Sequence, residues 1–509
     1  MDLLEAAAVR AWAVAARTAL EAAADRIDAV NVFPVADSDT GTNVLLTVVG
    51  GADAVALAPA DALATDVARA FGRGALLAAR GNSGVIVSQY LTGFARGLPA
   101  HAGARDVARA LAVAARAARE ATVEPQEGTV LTLADVVSAA ASSAADAGAD
   151  LPTVLAEAVA EALRALGRIS ALHPVLRAAR VLDAGACALL VVLDALARSV
   201  ADERPVHVPL DWLPTAAAHH ATAEPSGGAY EVMLLVSDDG AGGVDGGVVD
   251  TGAELRRRMG GLGDSVAVVG GDGWWHVHVH TDQPAAAIAA AALGRREQVL
   301  VRLLAGAHAG GSALHDRADG RERWGVVVCT AAPDLAAWYA ALGAVVLVRC
   351  PEAPVRSEHL ERAVTDTGAA HVVVLPGTGT DASTEPAVPG VLVETLDATD
   401  EVRAVVASLA LAGEGPTAQG RSAAQAALGR LGTGTVDVAS AAVASQVVDA
   451  LVRAPRATPA ESLTILWRDA PDDELLDAVV AHLAAHHPGV EATAVGPTGH
   501  GPALVLGLD

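Results

Sequence analysis

The sequence predicts three folded regions in series: an all-α N-terminal domain of eight helices, an α+β ferredoxin-like middle domain and an α/β C-terminal domain. Three observations carry that expectation. The first 200 residues hold Ala/Leu/Val-rich stretches at helical spacing, punctuated by Gly, Pro or Asn. Residues 230–304 switch to short β-type runs interleaved with helical ones in the order β-α-β-β-α-β, that of a split βαβ sandwich. From Trp324 onward, apolar strands alternate with helical segments, the signature of an open parallel sheet.

Taken in order, helices are predicted over 3–27, 42–57, 61–79, 83–98, 104–122, 129–148, 151–166 and 183–200. Their short connections fit an antiparallel bundle or helical barrel spanning domain 1–200. Residues 201–229, bearing Pro, His and Gly, read as a linker. The middle domain, 230–304, has strands at 230–237, 265–270, 274–280 and 298–304 and helices at 251–259 and 283–292. A second linker covers 305–322. In the last domain, 323–509, strands at 325–329, 345–349, 371–375 and 391–394 form the sheet. A tail from Ser462 (strand, helix from Asp473, strand near Val490, strand 503–508) reads as a small lobe of it.

Composition removes several functions. The 509 residues contain no lysine, so all 35 basic residues are Arg. A Walker P-loop, which needs its Lys at the β/γ-phosphates, is excluded, as is Schiff-base chemistry. The net charge of −25 repels nucleic acid and anionic membranes. Cys187, Cys329 and Cys350 are widely spaced and form no CxxC, against a disulfide framework. Asp2 and Glu5 sit where a secretory signal wants basic residues, and no apolar run is long enough to span a membrane. A cytoplasmic protein with no nucleic-acid partner is expected.

The chemistry concentrates at helix starts. In Asn31-Val-Phe-Pro-Val-Ala-Asp37-Ser-Asp39-Thr40-Gly41-Thr42-Asn43, two carboxylates at i and i+2 converge on one hard cation, and the small polar residues behind them suit an anion. Carboxylates beside an anion cradle point to a Mg-nucleotide site. Three further polar turns open helices: Arg80-Gly81-Asn82-Ser83-Gly84, Glu127-Gly128-Thr129 and Asp183-Ala184-Gly185. Each also serves as a helix cap; four together on one rim are harder to explain by capping alone.

These segments, with Ala79-Arg-Gly-Asn-Ser-Gly-Val-Ile86 and Glu127-Gly-Thr-Val-Leu-Thr132, resemble the nucleotide-binding domain of the dihydroxyacetone kinase L-subunit superfamily. More closely, the chain resembles the catalytic components of bacterial fatty acid kinases (the fatty acid kinase A family). Gly263-Asp264-Ser265-Val266 and Val277-His278-Val279-His280-Thr281-Asp282 match that family's middle domain, and the C-terminal region its degenerate DegV-type domain. The resemblance implies an eight-helix barrel in which Asp37 and Asp39 ligate two Mg²⁺ ions bridging the ATP phosphates, with Asn31 nearby. Thr40, Thr42, Asn43, Asn82, Ser83 and Gly84 would cradle the phosphates, and Thr129, Asp183 and Gly185 would lie around the nucleotide. Ser38, Ala36 and Ala186-Cys187 depart from the family pattern of Gly, Pro and Gly-Gln. The resemblance also implies a homodimer and a DegV-type carrier protein that presents a fatty acid and leaves with the acyl phosphate.

A fatty acid carboxylate is ionised at pH 7 and needs no general base. No His lies close in sequence to the four turns, the nearest being His101 and His173, which suits a carboxylate acceptor. His276, His278 and His280 alternate along one strand and offer a second metal or a partner surface. The related family's Cys ligand is replaced by Ala229-Tyr230-Glu231, so a zinc site of that type is not expected without another donor such as Glu231. Two other functions fit the same nucleotide site: a dihydroxyacetone-kinase-like small-molecule kinase, and a non-catalytic Mg-ATP-binding regulator.

Overall fold

The computed structural model describes residues 3–33, 38–201, 206–214, 228–238, 250–271, 273–304, 324–380, 385–438, 440–455, 459–469 and 473–509. Asp37 and Ala36 therefore lie outside the described residues, as do most of both predicted linkers. The chain divides into two compact units, one of Met1–Gly228 with Leu235–His280, the other of Ala229–Leu234 with Thr281–Asp509.

The first unit begins with helices α1 (Ala6–Asp28), α2 (Thr40–Ala56), α3 (Ala64–Ala78), α4 (Gly81–Gly97), α5 (Ala104–Glu120), α6 (Val130–Asp146), α7 (Leu151–Ser170), α8 (Pro174–Ala179) and α9 (Ala184–Val200). The sequence pattern predicts eight helices here; the described residues hold nine. The extra one, α8, is a single Pro-initiated turn-and-a-half ended by Arg180 in the left-handed conformation (φ 57°), too short to show a period. Each long helix packs on the next from α1 to α7, α7 packs on α9, and α9 returns to α1.

Alanine makes this packing close. The buried face of α1 is mostly Ala, with Trp12 as its one aromatic side chain. Trp12 meets Phe71 and Phe94 edge-on, at ring separations of 5.0 and 5.5 Å, and donates its indole N–H to the Val192 carbonyl at 2.8 Å. In a chain with three Phe in all, that cluster supplies the bulk that Ala lacks. The α1–α2 approach is close at Gly41, where an added Cβ would sit 2.3 Å from the Ala24 carbonyl oxygen and 2.9 Å from Ile27 Cβ. Gly41→Ala is accordingly expected to push α2 off α1 and to cost about 1–3 kcal/mol; chemical denaturation reads the loss directly.

Strand β1 (Tyr230–Ser237), helix α10 (Thr251–Gly260), strands β2 (Asp264–Gly271) and β3 (Trp274–Thr281), helix α11 (Pro284–Ala290) and strand β4 (Arg295–Leu303) follow in the predicted β-α-β-β-α-β order. The division between the two units falls inside this segment. In the first unit β2 and β3 pair antiparallel, with Val268 opposite Val277. The α5–α6 connection adds to β2: Val123 donates its N–H to Val266 and Val268 to Ala121, at 3.2 and 3.0 Å. Leu76, Ala79, Val85, Ala121, Ala267 and Val269 form the small apolar cluster beneath that contact. The Arg256-Arg257-Arg258 run is tied down locally, Arg257 and Arg258 by Glu254 and Arg256 by the Val268 carbonyl.

The second unit contains β5 (Trp324–Thr330), α12 (Ala336–Ala341), β6 (Val345–Val348), α13 (Ser357–Asp366), β7 (His371–Leu375), β8 (Leu392–Thr395), α14 (Glu401–Glu414) and α15 (Ala418–Arg430). Strands β6, β5, β7 and β8 lie parallel in that order, as the alternating pattern predicts, and β4 joins antiparallel on β6. The tail is larger than expected. Strand β9 (Gly432–Val436) precedes α16 (Ala441–Arg453), β10 (Ser462–Trp467), α17 (Asp473–His486), β11 (Glu491–Val495) and β12 (Leu504–Leu508), giving a separate four-stranded sheet ordered β11-β10-β12-β9. Its Gly-Thr-Gly-Thr run escapes the usual strand patterning because glycine supplies no apolar face.

Candidate functional site

The site is built on the starts of α2, α4, α6 and α9. Buried Asp28, at the end of α1, organises the first of these. Its carboxylate accepts the N–H groups of Gly41 and Thr42, at 2.5 and 3.2 Å, and the Thr42 hydroxyl at 2.7 Å. Burial pushes Asp28 up to about 7, against the pull of its Thr42 hydrogen bond, and the nearby Asp39 charge pushes it further. Sequence reasoning missed Asp28. The one available signal was a carboxylate at the C-terminal end of an apolar helix, where the dipole disfavours it.

Asp39 is the N-terminal boundary residue of α2. Its carboxylate does not cap the helix, while its carbonyl accepts the Asn43 N–H at 2.8 Å. Thr40 and Asn43 are buried, and the Thr40 and Ser83 hydroxyls lie 3.4 Å apart, which joins the first two predicted turns. Asn43 also lies against Gly81, whose φ of +54° and lack of a Cβ leave room for the Asn43 amide. Thr42 differs from the expected cradle: its hydroxyl and N–H are already given to Asp28. Asn31 is buried and donates its N–H to the Asp28 carbonyl at 3.1 Å.

Asn82, Ser83, Thr129, Asp183 and Gly185 line one cavity of about 580 Å³, together with Phe33, Gln126 and the Gly263–Val266 segment before and within β2. That volume suits a nucleotide-sized ligand. The three helix starts on its wall are not equivalent. Thr129 caps α6 through the Leu131 N–H, and Asp183 caps α9 through the Ala186 N–H at 2.7 Å. The boundary residue of α4, Arg80, makes no side-chain cap, and Asn82 and Ser83 of the first turn line the cavity, where a helix start favours anions. Asn82 Oδ1 is buried there with no partner among the described residues. The capping and ligand-binding explanations, inseparable in the sequence, therefore divide: α6 and α9 are capped internally, and α4 is open. Burial holds Asp183 up to about 6.

Two further observations concern histidine. His173 is close to the turns in space: its ring meets Phe33 at a 48° tilt with centroids 4.0 Å apart, and its backbone packs on Gly128. Burial lowers its pKa, so the ring is neutral at pH 7. His276, His278 and His280 are all buried, and the His278 and His280 rings meet edge-on at 4.9 Å. Glu231 is buried and pairs with Arg302.

Comparison with known proteins matches residues 34–198 to the DAK2 domain and 228–309 to the middle domain of fatty acid kinase A-like proteins. The chain therefore carries a DAK2 domain followed by a fatty acid kinase A-like middle domain. Protein YloV of Bacillus subtilis is 32% identical over 275 residues, 51% of this chain and 48% of YloV. Uncharacterised proteins of Staphylococcus haemolyticus and Staphylococcus epidermidis are 29% and 30% identical over 271 residues, with the same coverage of 51% and 48%. The chain thus spans about half the length of the relatives it matches. The DAK2 match covers all four helix starts, three of which line the cavity, and the middle-domain match covers the Gly263–Val266 wall.

Proposed function

We propose that this DAK2-family protein is an ATP- and Mg²⁺-dependent kinase component that phosphorylates the carboxylate of a fatty acid, presented by a DegV-type carrier protein. The observation that carries the reading is the uncapped start of α4, with buried Asn82 Oδ1 and the Ser83 hydroxyl, opening into a nucleotide-sized cavity. The donor set beside it fits Mg²⁺: the Asp39 carboxylate is not spent on capping α2, and carboxylate oxygens are what a hard divalent ion takes. Asp39, with Asp37 and Asn31, would hold two ions, which supply neutralisation of phosphate charge. No helix among the described residues is long and apolar enough to cross a membrane. We retain 1–200, 230–304 and 323–509 as the working domains, a helical barrel for the first, a DegV-like fold for the last, a cytoplasmic location and a homodimer.

In this reading the α4 N–H groups and Ser83 orient the transferred phosphoryl group, and Thr40 holds Ser83 in place. The acceptor carboxylate oxygen forms a new O–P bond as the β–γ bridging P–O bond breaks, giving acyl phosphate and ADP. No proton has to move, so no base is required. Ser83→Ala removes one hydroxyl contact worth about 1–2 kcal/mol, and a fall of roughly tenfold in kcat/KM for ATP is the expected reading.

A second reading, a small hydroxyl acceptor as in dihydroxyacetone kinases, is favoured by one observation: a neutral imidazole, His173, packed on the cavity residue Phe33. Purified protein with Mg-ATP is offered oleate, oleate with a DegV-type carrier, or dihydroxyacetone, and ADP release is followed. Carrier- and oleate-dependent ADP supports the proposal. Dihydroxyacetone-dependent ADP favours the second reading, and tight ATP binding with no turnover identifies a regulator.

A further inference from the structure

The lobe built on β9–β12 contains a cluster that the kinase reading does not use. Asp449, on α16, directs one carboxylate oxygen, Oδ1, at the Nε2 atoms of both His482 and His487, each at 2.9 Å. His482 lies in the last turns of α17, and His487 is the first residue beyond it. Five residues apart on a continuing helix, two side chains diverge. Here they converge because Pro488 disfavours helical backbone at His487 and the helix stops at His486.

The surrounding structure holds the three side chains in place. Val448 and Leu483, the neighbours of Asp449 and His482, are core residues of the lobe and fix both helices. The His486 ring stacks on His482 at 4.3 Å and bonds through Nδ1 to the His482 carbonyl, at 3.0 Å. The second Asp449 oxygen meets exposed Arg453 at 3.3 Å. The three donors retain side-chain exposures of 28%, 21% and 18%, so a hydrated ion can reach them.

We propose that Asp449, His482 and His487 form a binding site for a borderline divalent metal ion of the zinc class, tying α16 to the end of α17. Two imidazole nitrogens and a carboxylate oxygen are a donor set of that class, with the fourth position left to water. All three candidate donor atoms lie within 4.8 Å of one another. Tetrahedral ligands at about 2.0–2.1 Å from zinc stand roughly 3.3 Å apart, so the 2.9 Å contacts need to open by only a few tenths of an ångström. On binding, each Nε2 proton leaves to solvent and the nitrogen lone pair takes the metal.

The test uses untagged full-length protein, stripped with chelator and titrated with Zn²⁺ by calorimetry. The His482→Ala/His487→Ala double variant is expected to bind one equivalent fewer than wild type, which separates this site from any binding at His278 and His280. Asp449→Asn is expected to weaken that equivalent by roughly 10–100-fold. Equal stoichiometry in wild type and a folded double variant overturns the proposal. If the double variant fails to fold, X-ray absorption of the zinc-loaded wild type and Asp449→Asn decides. A mixed imidazole and oxygen shell altered by Asp449→Asn supports the site, and an identical shell in both overturns it.

Discussion

Asp39→Ala is expected to abolish phosphoryl transfer while leaving the fold intact. The fold should survive because the Asp39 carboxylate does not cap α2, and the bond from the Asn43 N–H to its backbone carbonyl persists in alanine. Transfer should fail because neutralisation of phosphate charge by metal-bound carboxylates acts on the transition state. Loss of such electrostatic stabilisation lowers the rate by at least about 100-fold. A second readout is independent of activity: the charge of Asp39 raises the Asp28 pKa, so in Asp39→Ala the Asp28 titration should move down. Carbon-detected NMR of the Asp28 carboxyl in metal-free protein follows that shift. Turnover within a few-fold of wild type, with circular dichroism unchanged, would remove Asp39 from the site.

The largest stability effect is expected at Asp28. Asp28→Ala strands the Gly41 and Thr42 N–H groups and the Thr42 hydroxyl, all now bonded to the carboxylate. An unsatisfied buried donor costs about 1–3 kcal/mol, partly offset by removing a buried charge, so a net loss of about 3 kcal/mol is expected. Asp28→Asn keeps acceptors for both N–H groups and should cost far less. The two also differ in pH dependence. Asp28 rises from an ordinary value of 3.8 to about 7 in the fold. Between those pH values the native state binds more protons than the unfolded state, so stability falls as pH rises through the window. The wild-type loss across it is on the order of 4 kcal/mol. Denaturant titrations of metal-free protein from pH 4 to pH 8 should show that slope in wild type and a shallower one in Asp28→Asn. An unchanged slope in Asp28→Asn would place the titration on another group, Asp183 being next, since burial raises it to about 6.

Much of the helical region was legible because alanine-rich amphipathic stretches repeat over several turns, long enough to fix their period. α8 was not legible, since a six-residue helix has no period to read. β9 was missed for the converse reason, a strand whose glycines give no alternation. At the site, polar turns before helices were readable as a set, yet their separate roles were not. Whether Thr129, Asp183 or Asn82 caps its own helix depends on side-chain rotamers that sequence does not encode locally. The contacts of Asp28 and His173 were not legible for a different reason: each is made to a residue separated from it in sequence, Thr42 for Asp28 and Phe33 for His173.

The proposed reaction has a carboxylate oxygen attack the phosphoryl group within this cavity. Oleate labelled with ¹⁸O in its carboxyl group, loaded on a DegV-type carrier and incubated with the protein and Mg-ATP, tests it by ³¹P NMR. An acyl phosphate resonance displaced by an ¹⁸O isotope shift is expected, since the bridging oxygen comes from the fatty acid. Phosphate or another phosphorylated product without that shift, in a reaction that consumes ATP, would contradict it.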